Sequence, residues 1–122
     1  MNDLNDFEHT VSRVLEPGEA IRLQARASDA VLALTDRRIV VAAPSRVALA
    51  IPVEGLRRVQ FDIERSRPAT LVLVPEEARD EAQVLTVAPS EYRAVADTLV
   101  EIGNALAAVS LTRSDGNAAQ SS

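Results

Sequence analysis

Seven short apolar segments follow one another along the middle of this chain, with no helical segment between them. They span residues 19–27, 29–35, 38–43, 46–52, 56–65, 69–75 and 82–88. Turn-forming residues separate them, such as Pro44-Ser45, Glu54-Gly55 and the acidic stretch "PEEARDE" at 75–81. Because parallel strands need long crossover connections, usually helices, this order predicts an antiparallel β structure.

A helical pattern lies at each end of the strand region. The first helix has Asn2 or Asp3 as its N-cap and ends at Pro17-Gly18, and its apolar stripe is Leu4, Phe7, Val11, Val14 and Leu15. The last helix begins at Pro89-Ser90-Glu91, and its stripe is Tyr92, Val95, Ala96, Leu99, Ile102, Leu106 and Val109. We therefore predict an amphipathic helix over 1–16, a β domain with its closing helix over 17–110, and a disordered tail over 111–122.

Two motifs carry a resemblance to a known family. The hairpin "LTDRRIVV" at 34–41 and the run "IPVEGLRRV" at 51–59 resemble the bacterial pleckstrin-homology-like (PH-like) domains, and the likeness extends over residues 15–109. The resemblance implies a mainly β fold with helical ends, namely a seven-stranded, partly open antiparallel barrel of two sheets capped by the C-terminal helix. Such domains include lipid binders, peptide binders and assembly modules, so the resemblance indicates a fold more than an activity.

The residues needed for most catalytic chemistry are scarce. The chain has no cysteine and one histidine, His9, which lies in the first predicted helix far from any strand-borne serine. Its 4 glycines form no phosphate-binding loop. The acids Glu76, Glu77, Asp80 and Glu81 lack the spacing of a calcium loop. We predict that the protein is not an enzyme and that it uses no cofactor, metal or small-molecule substrate.

Charge restricts the partners. The 13 basic residues, all arginine, are outnumbered by 18 acidic ones, and the net charge of −5 opposes binding to nucleic acid and to anionic membranes. The acidic start of the chain is unlike a secretory signal, and no apolar run approaches the roughly 20 residues that span a bilayer. We therefore expect a cytoplasmic protein.

Alternation along the strands predicts the core and one unusual surface. The predicted inward side chains are Ile21, Leu23, Leu32, Leu34, Ile39, Val41, Val47, Leu49, Ile51, Val59, Phe61 and Ile63. On the outward side, strands two to four carry small apolar residues where a solvated sheet carries polar ones. This predicted interaction surface consists of Val31, Ala33, Val40, Ala42, Ala48 and Ala50, with a rim of Arg22, Arg26, Arg38 and Arg46. The acidic N-terminal helix of the same chain or of a neighbouring chain is the expected cover, so we predict a protein–protein interaction and self-assembly module.

Two alternatives remain open. Arg57, Arg58, Arg65 and Arg67 form a group that suggests weak binding of anionic lipid or phosphate, although Asp62 and Glu64 lie among them. A groove between strand five and the C-terminal helix suggests a peptide-binding adaptor. In the hairpin itself, Asp36 and Arg37 are typical turn residues, whereas Arg38 points outward and is expected to pair with an acid of the N-terminal helix.

Overall fold

Two antiparallel sheets and a long C-terminal helix make up the described part of the chain. A computed structural model describes residues 11–44, 46–63 and 68–121, with side chains through residue 108. Helix α1 is seen over residues 11–14 and the predicted helix before residue 11, with His9, lies outside the described residues. The strands are β1 (Ile21–Arg26), β2 (Val31–Thr35), β3 (Arg38–Ala42), β4 (Val47–Pro52), β5 (Leu56–Asp62), β6 (Ala69–Pro75) and β7 (Gln83–Val87). Helix α2 spans Tyr92–Ser121.

The strands form sheet A, in the order β1-β2-β3-β4, and sheet B, in the order β5-β6-β7. Every neighbouring pair is antiparallel. In the described residues the two sheets share no strand ladder, and single hydrogen bonds join them instead, such as Ser28 N–H to the Thr86 carbonyl at 2.9 Å. This is the predicted mainly β architecture with a partly open barrel.

The main core lies between the sheets and α2. Leu32, Leu34, Ile39, Val41, Leu71 and Leu73 of the strands are buried there together with Val95 and Ile102 of α2. Leu99 and Leu106 pack against the same cluster, which confirms the spacing of the predicted helical stripe. Ala96 was placed in that stripe but is exposed, so the buried stripe is narrower than predicted.

Helix α2 is also longer than predicted. Its backbone continues to Ser121, into the segment 111–122 for which the composition predicts disorder. No proline follows Pro89, so no residue in this part of the chain blocks the backbone hydrogen bonds of a helix. The division of the chain into helix 1–16, domain 17–110 and tail 111–122 stays a prediction.

Two β-bulges change the predicted faces of sheet A. In β1, the pairings of Ile21 with Thr35 and of Leu23 with Leu34 leave one extra residue. In β4, Val47 pairs with Ala42 and Leu49 with Val41, which also leaves one extra residue. An extra residue shifts the alternation before it to the opposite face. Ile21 and Val47, predicted to point inward, therefore join the outer cluster of sheet A.

The same bulge corrects one member of the predicted interaction surface. Ala48, predicted to point outward, is the extra residue of β4 and packs against the main core. Ile63, predicted to point inward, is 56% exposed because β5 ends at Asp62, one residue earlier.

Candidate interaction surfaces

Helix α1 of the same chain covers the outer face of sheet A. Val11 is fully buried in a cluster with Ala33, Val40 and Ala42. Val14 and Leu15 of the same segment pack on this cluster, as do Ile21 and Val47 of the strands. Small side chains on β2 and β3 leave room for the helix to approach the sheet closely. The centre of the predicted interaction surface is therefore already occupied within one chain.

An ion pair fastens this segment to the sheet. Arg38 donates from Nη2 to Glu19 Oε1 at 2.6 Å and from Nε to Glu19 Oε2 at 3.1 Å, so the ion pair is bidentate. Arg38 Nη2 also donates to the Val14 carbonyl at 2.5 Å, at the C-terminal end of α1. Arg38 thus links the end of the helix to the segment that follows it.

The Glu19 side chain is fully buried, and each of its two carboxylate oxygens accepts two hydrogen bonds. The Thr35 hydroxyl donates to Oε2 at 2.5 Å, and the Glu16 N–H donates to Oε1 at 2.9 Å. The hydrogen bonds from Arg38, together with those from Thr35 and Glu16, outweigh the effect of burial and lower the pKa of Glu19 from 4.5 to about 2. The hydrogen bonds to Glu19, together with the negative charges of Glu19 and Glu16, raise the pKa of Arg38. The carboxylate is therefore charged at neutral pH.

The rest of the hairpin is held by turn contacts. Asp36 accepts from the Ala20 N–H at 3.1 Å, and its own N–H donates to the Ala20 carbonyl at 3.0 Å. Arg37 pairs with Glu16 at 2.9 Å, and both side chains are exposed. Gly18 has a φ of 83°, a left-handed conformation that suits glycine and lets the chain reverse between α1 and β1. Glu16, the last residue of the predicted N-terminal helix, therefore pairs with Arg37. Arg38, which the sequence predicts to pair with an acid of that helix, pairs instead with Glu19, beyond the turn at Gly18.

The other predicted rim arginines do not lie together. Arg22 pairs with Glu101 of α2 at 3.3 Å. The N–H of Arg26 donates to Glu91 at 2.9 Å, at the start of the C-terminal helical region. Arg46 is exposed in the turn between β3 and β4. Of the apolar members, Val31 is buried and Ala50 is exposed at the edge of the sheet.

The alternative anion-binding group is only partly described. Arg57 and Arg58 are exposed on β5, and Arg65 and Arg67 lie outside the described residues. Asp62 shares a face with Arg58, so the described part of this group is not a continuous basic surface. Anion binding by these four arginines stays a prediction.

Two grooves lie beside the sheets. One, of about 440 Å³, runs along the contact between β1 and α2 and is lined by Arg22, Leu23, Asp97, Val100 and Glu101. The other, of about 410 Å³, lies beside the end of β4, and its lining includes the charged residues Glu54, Glu76, Glu77, Arg79 and Asp80. Among the described residues, no group of histidine, cysteine or acidic side chains has the arrangement of a metal site.

The predicted peptide groove between β5 and α2 is partly filled. The rings of Phe61 and Tyr92 meet edge to face, with centroids 5.9 Å apart and planes at 85°. Both rings pack against the main core. Peptide binding between these two elements stays a prediction.

The outward face of sheet B carries three valines and is open to solvent. Val84 of β7 is 68% exposed, and its neighbour across the ladder, Val72, is half-buried, as is Val74. No described segment corresponds to α1 on this side, and the face is completed by Thr70, Thr86, Arg58, Gln60 and Asp62. We call this set of eight side chains the outer face of sheet B.

Comparison with known proteins identifies the fold. No family model and no curated protein sequence matches the chain. A pleckstrin homology domain from Shewanella amazonensis SB2B matches with a TM-score of 0.58 and 17% sequence identity, over 84% of this chain and 96% of that one.

A DUF1696 family protein with a pleckstrin-homology domain, from Shewanella loihica PV-4, matches with a TM-score of 0.58 and 15% identity, over 83% of this chain and 91% of that one. Identities this low support a likeness of fold only. None of the helices that the structure describes has the length and apolar content to cross a membrane. The chain therefore has the fold of the bacterial pleckstrin-homology-like domains.

Proposed function

We propose that this chain is a non-catalytic, cytoplasmic protein-interaction domain that binds through the outer face of sheet B. The observation that carries the proposal is the exposure of Val84, at 68%, beside Val72 and Val74 on a sheet face. A solvated antiparallel face normally carries polar side chains, and a contiguous apolar group on it is typical of a binding surface. The scarcity of catalytic side chains in the sequence supports a binding role.

The proposal differs in location from the surface predicted by the sequence. Both sheets carry apolar side chains on their outer faces, and α1 covers those of sheet A. No described segment covers those of sheet B, so we assign the partner to that face. Self-association is included in the proposal, because an apolar face is available to a second copy of the same chain.

Site-specific photo-crosslinking tests the proposal in living cells. A photoreactive residue at Thr86, which is exposed beside the valines, should form covalent adducts with proteins, whereas one at Gln24, exposed on β1 of sheet A, should form few. Val84→Glu should remove most adducts formed from position 86, because a carboxylate at the centre of an apolar contact loses its hydration. Adducts from Gln24 alone, or from neither position, would contradict the proposal.

A further inference from the structure

Ladder pairing arranges the outer face of sheet B in three rows across the strands. The central row is Gln60, Val72 and Val84. On one side of it, Arg58 pairs with Val74, and on the other side Asp62 pairs with Thr70, which in turn pairs with Thr86. The positive charge and the negative charge of β5 therefore lie on opposite sides of the central row.

The two charges are equally spaced from that row. Arg58 and Asp62 lie two residues before and two residues after Gln60 on the same strand. At about 3.3 Å per residue they are about 13 Å apart, too far to pair within one chain. Among the described residues, Gln60 donates a hydrogen bond to Asp62 at 2.8 Å, and the Asp62 side chain is exposed.

A two-fold axis along the central row makes this face complementary to itself. Rotation about an axis in the plane of contact exchanges the two outer rows and leaves the central row opposite itself. Val72 and Val84 of one copy then meet the same valines of the other. Arg58 of each copy faces Asp62 of the other copy, so two ion pairs form, one at each end of the contact.

We infer that two copies of this chain associate by stacking their outer faces of sheet B about this axis. The inference rests on the proposed function, and it names the partner as a second copy and the register as Arg58 against Asp62. Sheets pack face to face at about 10 Å, a distance that side chains of this size span. The charge pattern distinguishes this partner from an unrelated apolar one, because it matches its own rotated image.

The contact is small. Three strands of at most seven residues cover an area about 14 Å by 23 Å, well below the roughly 800 Å² per partner of a standard interface. We therefore expect a weak, transient dimer. Association has to be measured up to millimolar concentrations of the full chain.

A charge-swap cycle tests the inference by sedimentation equilibrium. Arg58→Glu and Asp62→Arg should each weaken the dimer about ten-fold, because each turns two attractive pairs into two repulsive ones. The double variant should return to within about three-fold of the wild-type Kd, since it restores both pairs with reversed sign. Arg46→Glu is the matched control, with the same change in net charge at an exposed position on the other sheet, and should stay within about three-fold of the wild type.

The possible outcomes separate this inference from the proposed function. A chain that stays monomeric up to about 1 mM overturns the inference, as does a dimer that responds equally to Arg58→Glu and Arg46→Glu. So does a double variant no tighter than the singles. If, in any of these cases, position 86 still crosslinks to other proteins, the proposed function stands without the dimer.

Discussion

Replacing Glu19 with glutamine is expected to destabilise the fold by about 3 kcal/mol at pH 7. The side chain is fully buried, and Arg38 contacts it through two nitrogens. Removing one member of a buried ion pair typically costs about 3–5 kcal/mol, because the remaining charge keeps its desolvation without its partner. Arg38 retains some solvent contact, with 22% of its side chain exposed, so the lower end of that range applies.

Replacing Glu19 with glutamine is a severe change although the two side chains have nearly the same shape. Glu19 accepts four hydrogen bonds, two on each oxygen, and an amide keeps a single acceptor oxygen. In either orientation the NH₂ group faces two donors, which are Arg38 Nε and Thr35 in one case and Arg38 Nη2 and the Glu16 N–H in the other. The segment between α1 and β1 therefore loses its buried attachment to the hairpin and keeps the exposed contacts of Ala20 with Asp36 and of Glu16 with Arg37.

Urea denaturation measures this loss, with Glu16→Gln as the control. Glu16 pairs with Arg37 at the surface of the same hairpin, and an exposed pair contributes at most about 1 kcal/mol. The double variant Glu19→Gln with Arg38→Met should lose less than the sum of the single losses, because it leaves no unpaired charge. Equal losses for Glu19→Gln and Glu16→Gln would contradict the role assigned to the buried pair.

The strands and most of the core follow from the sequence because a two-residue period and turn residues report local structure. All seven predicted segments contain the observed strands, and Leu32, Leu34, Ile39 and Val41 are buried as predicted. The period fails at the bulges of β1 and β4, because one extra residue shifts the alternation and no residue type marks its position. Ile21 and Val47 then change faces without any change in composition.

The buried ion pair was predictable only in part. Alternation predicts that Arg38 points outward, but the predicted partner, an acid of the N-terminal helix 1–16, is wrong. The acid is Glu19, which the pattern placed at the start of a strand, and its partners Thr35 and Arg38 are 16 and 19 residues away in sequence. Local propensity carries no information about a contact of that range, which depends on how the hairpin folds back over the turn at Gly18.

The sequence of β6 already indicates that the outer face of sheet B is partly apolar, which the pattern of β5 alone does not show. β6 reads "ATLVLVP", with apolar residues on both of its faces. Such a strand is typical of a sheet covered on both sides. Arg58, Gln60 and Asp62 are polar, so the sequence of β5 by itself is typical of an ordinary solvated face. Only the register, which sets these residues beside Val72 and Val74, shows the mixed apolar and charged pattern.

The buried pair should also make the fold sensitive to acid in a defined pH window. In the folded chain the hydrogen bonds from Arg38 and its neighbours hold the pKa of Glu19 at about 2, below its ordinary value of 4.5. The unfolded chain therefore takes up a proton on Glu19 more readily than the folded chain does. The resulting stability is fully present above pH 4.5 and is lost as the pH falls toward 2.

The difference between the two pKa values corresponds to about 3 kcal/mol of unfolding free energy. The unfolding free energies of the wild type and of Glu19→Gln should therefore differ by a constant amount between pH 7 and about pH 5. The two values should converge as the pH approaches 2. Effects of the other carboxylates and of net charge are common to both proteins and cancel in the difference. Urea titrations of both proteins at half-unit pH intervals measure this difference in unfolding free energy. A difference that stays constant down to pH 2 would show that the stability lost in Glu19→Gln does not come from the charged carboxylate.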